Sequence, residues 1–207
     1  MYKRLTLIIF ILSLLVGFLA YITYLNTPYS KNLSETGSLA LAEEKPSAFA
    51  EALLPVYENP AKLVISSIQL NLDLVRVGTL EDGSLEAPKD WNTGGWYVDG
   101  SRAGEPGNLI LDAHYDDSAG RPAAFWLLKN IKTGDIVTVL DTMGKSFDYE
   151  VSEIFYVDIN DPARTQIFEN DTSKAHVTLI TCGGIWLSGH GTYSQRLVVK
   201  GDLLEKL

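Results

Sequence analysis

The chain reads as an all-β protein, a single β-barrel behind an apolar N-terminal segment. Three observations lead there. Apolar residues recur at every second position in several short segments. Glycine, proline and aspartate turn signals separate those segments at modest spacing. Residues 5–25 form one uncharged apolar run of a different kind.

That run begins after Lys3 and Arg4. As a helix it would measure about 32 Å at roughly 1.5 Å per residue, matching a hydrocarbon core of about 30 Å. A cleaved signal peptide has a shorter apolar region, and the cleavage-like Ala40-Leu41-Ala42 lies far beyond the run. The expectation is an uncleaved transmembrane signal anchor over 5–25. Residues 1–4 are then cytoplasmic, and everything after Leu25 is extracytoplasmic on a single-pass membrane protein. Residues 26–60, with Pro28, Pro46, Pro55 and many polar residues, read as a linker. A short helix is predicted near Ser47 to Leu54, with Ser47 as its N-cap.

The domain itself is expected over 61–207. Ile68, Leu70, Leu72 and Leu74 alternate with polar residues, as do Phe147, Tyr149 and Val151, each pattern marking a half-buried strand. Further strands are predicted at Asn108–Ala113, Asp135–Leu140, Ile154–Asp158, Val177–Thr181 and Arg196–Lys200. Turns are expected at Glu81-Asp82-Gly83, Gly94-Gly95, Glu105-Pro106-Gly107 and Thr133-Gly134-Asp135. One short helix is predicted from Pro122 to Asn130, with the proline in its first turn. Many short strands of this kind indicate a barrel or sandwich, with a single barrel preferred.

Composition narrows the function. With 207 residues, 46% of them hydrophobic, the chain holds one ordinary domain plus appendages. A formal net charge of -9 excludes a nucleic-acid binder, which needs a basic surface. The chain has a single cysteine, Cys182. Exported domains usually pair their thiols, so Cys182 is inert, intermolecular or catalytic. It stands at the end of the Val177–Thr181 strand, where Gly183-Gly184 is expected to end that strand.

A thiol needs a base or cation to become a nucleophile, and a donor for the oxyanion that forms. Of the 3 histidines, His114 closes the Asn108–Ala113 strand and opens a polar loop. His176 begins the cysteine's own strand, about 20 Å away if extended. His190 lies in the glycine-rich Ser188–Thr192 loop. His114 is therefore the favoured partner. Arg196 begins the next strand at a spacing that fits a hairpin, which brings its permanent charge beside the thiol.

Thr-Leu-Ile-Thr-Cys (178–182), the Ala113-His114 strand end and Tyr-Ser-Gln-Arg-Leu-Val-Val (193–199) closely resemble the sortases, membrane-anchored cysteine transpeptidases of bacteria. The resemblance covers roughly residues 61–204, including Gly94-Gly95-Trp96 and Glu105-Pro106-Gly107-Asn108. It implies the eight-stranded sortase β-barrel with one or two short helices, and a catalytic triad of His114, Cys182 and Arg196. Two features depart from the best-known pattern. Ala113 replaces the glycine that commonly precedes the histidine, and Gly183-Gly184 after the cysteine is more like classes F and E.

The resemblance also implies cleavage of a Leu-Pro-x-Thr-Gly-like sorting signal through a Cys182 thioester. The secreted protein is then transferred to an amine of a peptidoglycan precursor or a pilin. Substrate contacts are expected from Thr181 and from Ile159, Pro162, Ile167 and Phe168 in the loop ahead of the cysteine strand. Asp112, Asp116, Asp117, Glu169 and Asp171 match no EF-hand spacing and are expected as solvated acids, so neither metal nor cofactor is predicted. The alternatives are a non-catalytic wall- or pilus-binding barrel and a sortase-like thiol hydrolase. An L,D-transpeptidase, with its Ser-x-Gly-Cys context, fits Leu-Ile-Thr-Cys poorly.

Overall fold

Eight strands close into one barrel: β1 (Pro60–Ile65), β2 (Leu70–Val77), β3 (Gly94–Tyr97), β4 (Gly107–Asp112), β5 (Ile136–Asp141), β6 (Ser146–Asp158), β7 (Ala175–Leu187) and β8 (Thr192–Leu203). Neighbours around the barrel run β1-β2-β3-β4-β7-β8-β6-β5, and β5 pairs back onto β1. The β2–β3 and β4–β7 pairs are parallel; the others are antiparallel.

The structure, a computed structural model, describes Phe18, residues 21–23 and residues 55–205. Phe18 and 21–23 are helical. The rest of the expected membrane span over 5–25, and the short helix expected from Ser47 to Leu54, lie outside the described residues. No helix among the described residues is long and apolar enough to cross a membrane. Val56–Leu207 form one compact unit, whose first strand starts at Pro60, one residue inside the expected linker.

Strand alternation explains the interior. Leu63 and Ile65 of β1, Leu109 and Leu111 of β4, Val177 and Leu179 of β7, and Val199 of β8 all point inward and are essentially inaccessible. Each such side chain contributes roughly 1.5–3 kcal/mol on burial. The opposite face of β4, β7 and β8 is also covered. Ile110, Ile180 and Val198 form a second apolar cluster with Ile167, packed against Leu85, Phe155, Val157 and Phe168. β4 is therefore buried on both faces along its whole length, which is why it reads as a continuous apolar run.

Four local expectations need correction. The strand expected from Ile68 starts at Leu70, because Ser66–Ile68 form a 3-10 turn that Gln69 ends in the left-handed region at φ 54. Gly94-Gly95, expected as a turn, opens β3. A Cβ at Gly95 would lie 2.3 Å from an Asp112 carboxylate oxygen, so this strand needs glycine there for close approach. The helix expected from Pro122 is only the 3-10 segment Trp126–Asn130. The N–H groups of Ala123, Ala124 and Phe125 donate instead to the carbonyls of Tyr115, Trp91 and His114. Finally, β7 runs through Gly183-Gly184 rather than ending there. It bulges between Gly183 and Trp186 with Gly184 at φ 79, a backbone that favours glycine.

The loop expected between Asp158 and Lys174 also carries a 3-10 helix, Pro162–Phe168, whose N-cap Asp161 accepts a hydrogen bond from the Ala163 N–H at 2.8 Å.

Candidate active site

The outward face of β4, β7 and β8 carries the chemistry. Strand parity puts Asp112 on the face of Ile110, Cys182 on that of Ile180, and Arg196 on that of Val198. Cys182 and Arg196 are direct cross-strand partners in the β7–β8 hairpin. His114 lies just past the end of β4, and the Thr181 hydroxyl donates to the Ala113 carbonyl at 2.7 Å. That bond ties the end of the histidine strand to the residue before the thiol.

His114, Cys182 and Arg196 line one cavity of about 510 Å³. Two segments wall it. One is the β2–β3 connection from Asp82 to Ala87, and the other is the 158–168 segment with its 3-10 helix. The first is a small self-bonded hairpin: Glu86 N–H donates to Gly78 O at 2.9 Å, and Thr79 bridges Leu85. The second is pinned from below by Asn108. Its side-chain N–H groups donate to Ile167 O at 3.0 Å and Glu169 O at 3.2 Å, and its carbonyl accepts from Thr178 at 2.8 Å.

The imidazole of His114 is held on two sides. Its Nε2 is 2.7 Å from the Pro88 carbonyl. A carbonyl only accepts, so Nε2 carries the proton. Nδ1 has no hydrogen-bond partner among the described residues. The Trp91 ring packs on the imidazole with centroids 4.3 Å apart.

Arg196 is oriented by oxygen acceptors, with Nη1 donating to Gln195 O at 3.0 Å and Tyr193 O at 3.3 Å, and Nη2 donating to the Thr192 hydroxyl at 3.1 Å. Among the described residues it forms no ion pair, so its charge remains available to the cavity. Cys182 is half-buried. Burial pushes its thiol above the ordinary range, and Asp116 and Asp112 add to this, while Arg196 pulls the other way. The resting thiol is therefore protonated at neutral pH.

Of the expected substrate contacts, Ile159, Ile167 and Phe168 line the cavity and Pro162 does not; Pro162 is exposed. Thr181 also lines it, but is nearly inaccessible and its hydroxyl already bonds Ala113. His176 lies at the start of β7, opposite Asn108 on one side and Asp202 on the other. His190 is exposed in the β7–β8 turn.

Asp112 overturns the expectation of a solvated acid. It is 8% exposed, it lines the cavity, and its Oδ1 has no hydrogen-bond partner. Burial pushes its carboxyl up to about 7, with its own backbone opposing and Glu86 adding to the rise. An acid at the end of the apolar run Leu109-Ile110-Leu111, two residues before the histidine, was the signal for it. Trp91, Pro88 and the Asp82–Ala87 wall carried no periodic signal.

The family model for the sortase domain matches residues 63–204. The chain belongs to the sortase family. It is thus an enzyme of the cysteine transpeptidase class, and its barrel is the sortase fold. Solved sortases superimpose on it. Sortase A from Corynebacterium diphtheriae, as a lid mutant, gives a TM-score of 0.56 at 21% identity, covering 74% of this chain and 74% of that one. Sortase A of Listeria monocytogenes gives 0.52 at 21%, covering 72% and 89%. Sortase C-1 from Actinomyces oris gives 0.53 at 25%, covering 70% and 74%. These likenesses are of fold. No curated protein sequence matches the chain.

Proposed function

We propose that this sortase cleaves a Leu-Pro-x-Thr-Gly-like signal on secreted proteins and transfers them to an amine of a peptidoglycan precursor or a pilin. Cys182, His114 and Arg196 carry the reaction. The observation that carries this reading is their convergence on one walled cavity, with the thiol and the guanidinium opposite one another across a hairpin.

His114 first takes the proton of the Cys182 thiol and becomes the imidazolium. The thiolate then attacks the threonine carbonyl, forming an S–C bond and a tetrahedral oxyanion that Arg196 stabilises. As the intermediate collapses, the C–N bond to glycine breaks and the imidazolium of His114 protonates the departing amine. The resulting thioester is attacked by the acceptor amine, which gives its proton to His114. The new amide forms as the thiolate leaves. Ile159, Ile167 and Phe168 supply apolar contacts to the signal peptide. The Gly183-Gly184 pair favours a class F or class E assignment, because that sequence after the cysteine resembles those classes more than the housekeeping one.

The apolar run over 5–25, behind Lys3 and Arg4, supports a single-pass anchor with the catalytic domain outside. Tethering raises the effective concentration of enzyme toward substrates emerging at the same membrane.

The test incubates the detergent-solubilised full chain with a Leu-Pro-x-Thr-Gly peptide library and hydroxylamine, read by intact mass. An acyl adduct and a hydroxamate product, both lost in Cys182→Ala, are expected. No adduct, with a thiol that also resists iodoacetamide, would make the barrel a binding module.

A further inference from the structure

We propose that Asp112 is a specificity residue in the substrate cavity, and that the signal peptide presents a lysine or arginine side chain to its carboxylate. The proposal rests on reading the cavity as the peptide groove, and deepens it.

The carboxyl is out of place among its neighbours. It lies at the β4–β7 register position opposite Ile180, next to a cluster of Ile110, Ile167, Ile180 and Val198. It is more than nine-tenths buried, lines the cavity, and has one oxygen with no hydrogen-bond partner. No other residue answers this acid: its carboxylate meets only its own backbone N–H, and no ion pair of Asp112 is found among the described residues. Burying such a group unpaired is costly. The backbone nevertheless makes room for it, because only glycine fits at position 95 beside its Oδ1.

Among the described residues no cation is paired with Asp112. Two arginines line the cavity, Arg164 and Arg196. Arg196 is fastened to Thr192, Tyr193 and Gln195, and Arg164 donates to the Asp161 carbonyl. Neither pairs with Asp112. Glu86 acts on Asp112 through charge, and two further acids, Asp82 and Asp158, line the same cavity. A hydroxyl or amide would satisfy one oxygen and leave that excess of negative charge. A cationic side chain answers both, and charge-assisted bonds are the stronger kind.

The test uses the full chain in detergent and Leu-Pro-x-Thr-Gly peptides varied at the first position and at x among Leu, Ala, Lys, Arg and Glu. Binding is measured by fluorescence polarisation on Cys182→Ala, and acylation by competition between peptides in one tube on the active enzyme. Lys or Arg at one of the two positions is expected to improve binding about tenfold or more over Ala, as a bond to a buried charge would. Adding Asp112→Ala or the near-isosteric Asp112→Asn should erase that gain, with cooperative melting retained. If Asp112→Ala fails to fold, Asp112→Asn carries the comparison.

A basic residue that gives no advantage, or an advantage that survives both substitutions, overturns the proposal. Adducts formed without a binding preference would sink it and leave the transpeptidase reading standing. A binding preference that depends on Asp112, without any adduct, would do the reverse.

Discussion

Cys182 and Arg196 are direct partners across the β7–β8 hairpin, and Arg196 is the one cause lowering a thiol that burial and two acids raise. Removing the guanidinium therefore acts twice. Arg196→Ala should lower kcat by about 10²–10³ through loss of the oxyanion donor. It should also move the pH midpoint of Cys182 alkylation upward, so that iodoacetamide reacts more slowly at pH 8. A variant with lost turnover and an unchanged alkylation profile would separate Arg196 from the thiol.

Asp112 has the opposite effect on the same sulfur. Replacing it with asparagine removes a charge that raises the thiol, so alkylation at pH 7.5 should quicken. Stability should follow a separate pH course. The carboxyl rises from 3.8 to about 7 on folding, so the folded state holds that proton more tightly than the unfolded chain. Its contribution is complete below the unfolded pKa and is lost as pH climbs through about 7. Relative to Asp112→Asn, the wild type should lose stability between about pH 4 and 8, by up to about 4 kcal/mol. Melting curves of both proteins across that range check it.

How much of this could be seen in the chain depends on what each segment buries. β4 and the first half of β7 were legible because Leu109, Leu111, Val177 and Leu179 pack into the interior and leave a strong apolar signal. The His114 position was legible because it follows β4, and Cys182 and Arg196 because each borders the apolar stretch of a longer strand. Cys182 lies inside β7, which continues to Leu187, and Arg196 lies inside β8, which starts at Thr192 and not at the arginine as expected. β3 was not, since two of its four residues are glycines that carry no hydropathy; Gly95 allows close approach to Asp112, and Gly94 to Leu74. The 3-10 segment at Trp126–Asn130 was read too long because its preceding N–H groups bond to distant carbonyls, which no local pattern records. The cavity walls are hairpin and 3-10 structure held by tertiary bonds, so their role emerges only from the fold.

Asn108 shows how such a wall is held. One buried side chain makes three hydrogen bonds, two to carbonyls of the 158–174 segment and one from Thr178. Asn108→Ala leaves those partners unsatisfied, at a cost of order 3 kcal/mol. The wall residues Ile167 and Phe168 should then loosen. The expected kinetic result is a raised KM with kcat and Cys182 alkylation little changed. A drop in kcat alone would mean that Asn108 acts on the triad rather than on the wall.

Trp91 offers the cleanest test of how His114 is positioned. Its backbone carbonyl accepts from Ala124 N–H at 2.9 Å, and the neighbouring Pro88 carbonyl holds Nε2 of the imidazole. Both bonds survive replacement of the indole. Trp91→Ala therefore removes only the ring packed on His114, an interaction of about 0.5–1.5 kcal/mol beyond its area. Turnover should fall roughly threefold to tenfold, and Trp91→Phe should recover most of it. Alkylation of Cys182 should be nearly unaffected, because burial and the charges of Arg196, Asp116 and Asp112 set its thiol, and the indole is uncharged. If Trp91→Ala slows alkylation as much as turnover, the ring acts on the sulfur's surroundings and not on the base.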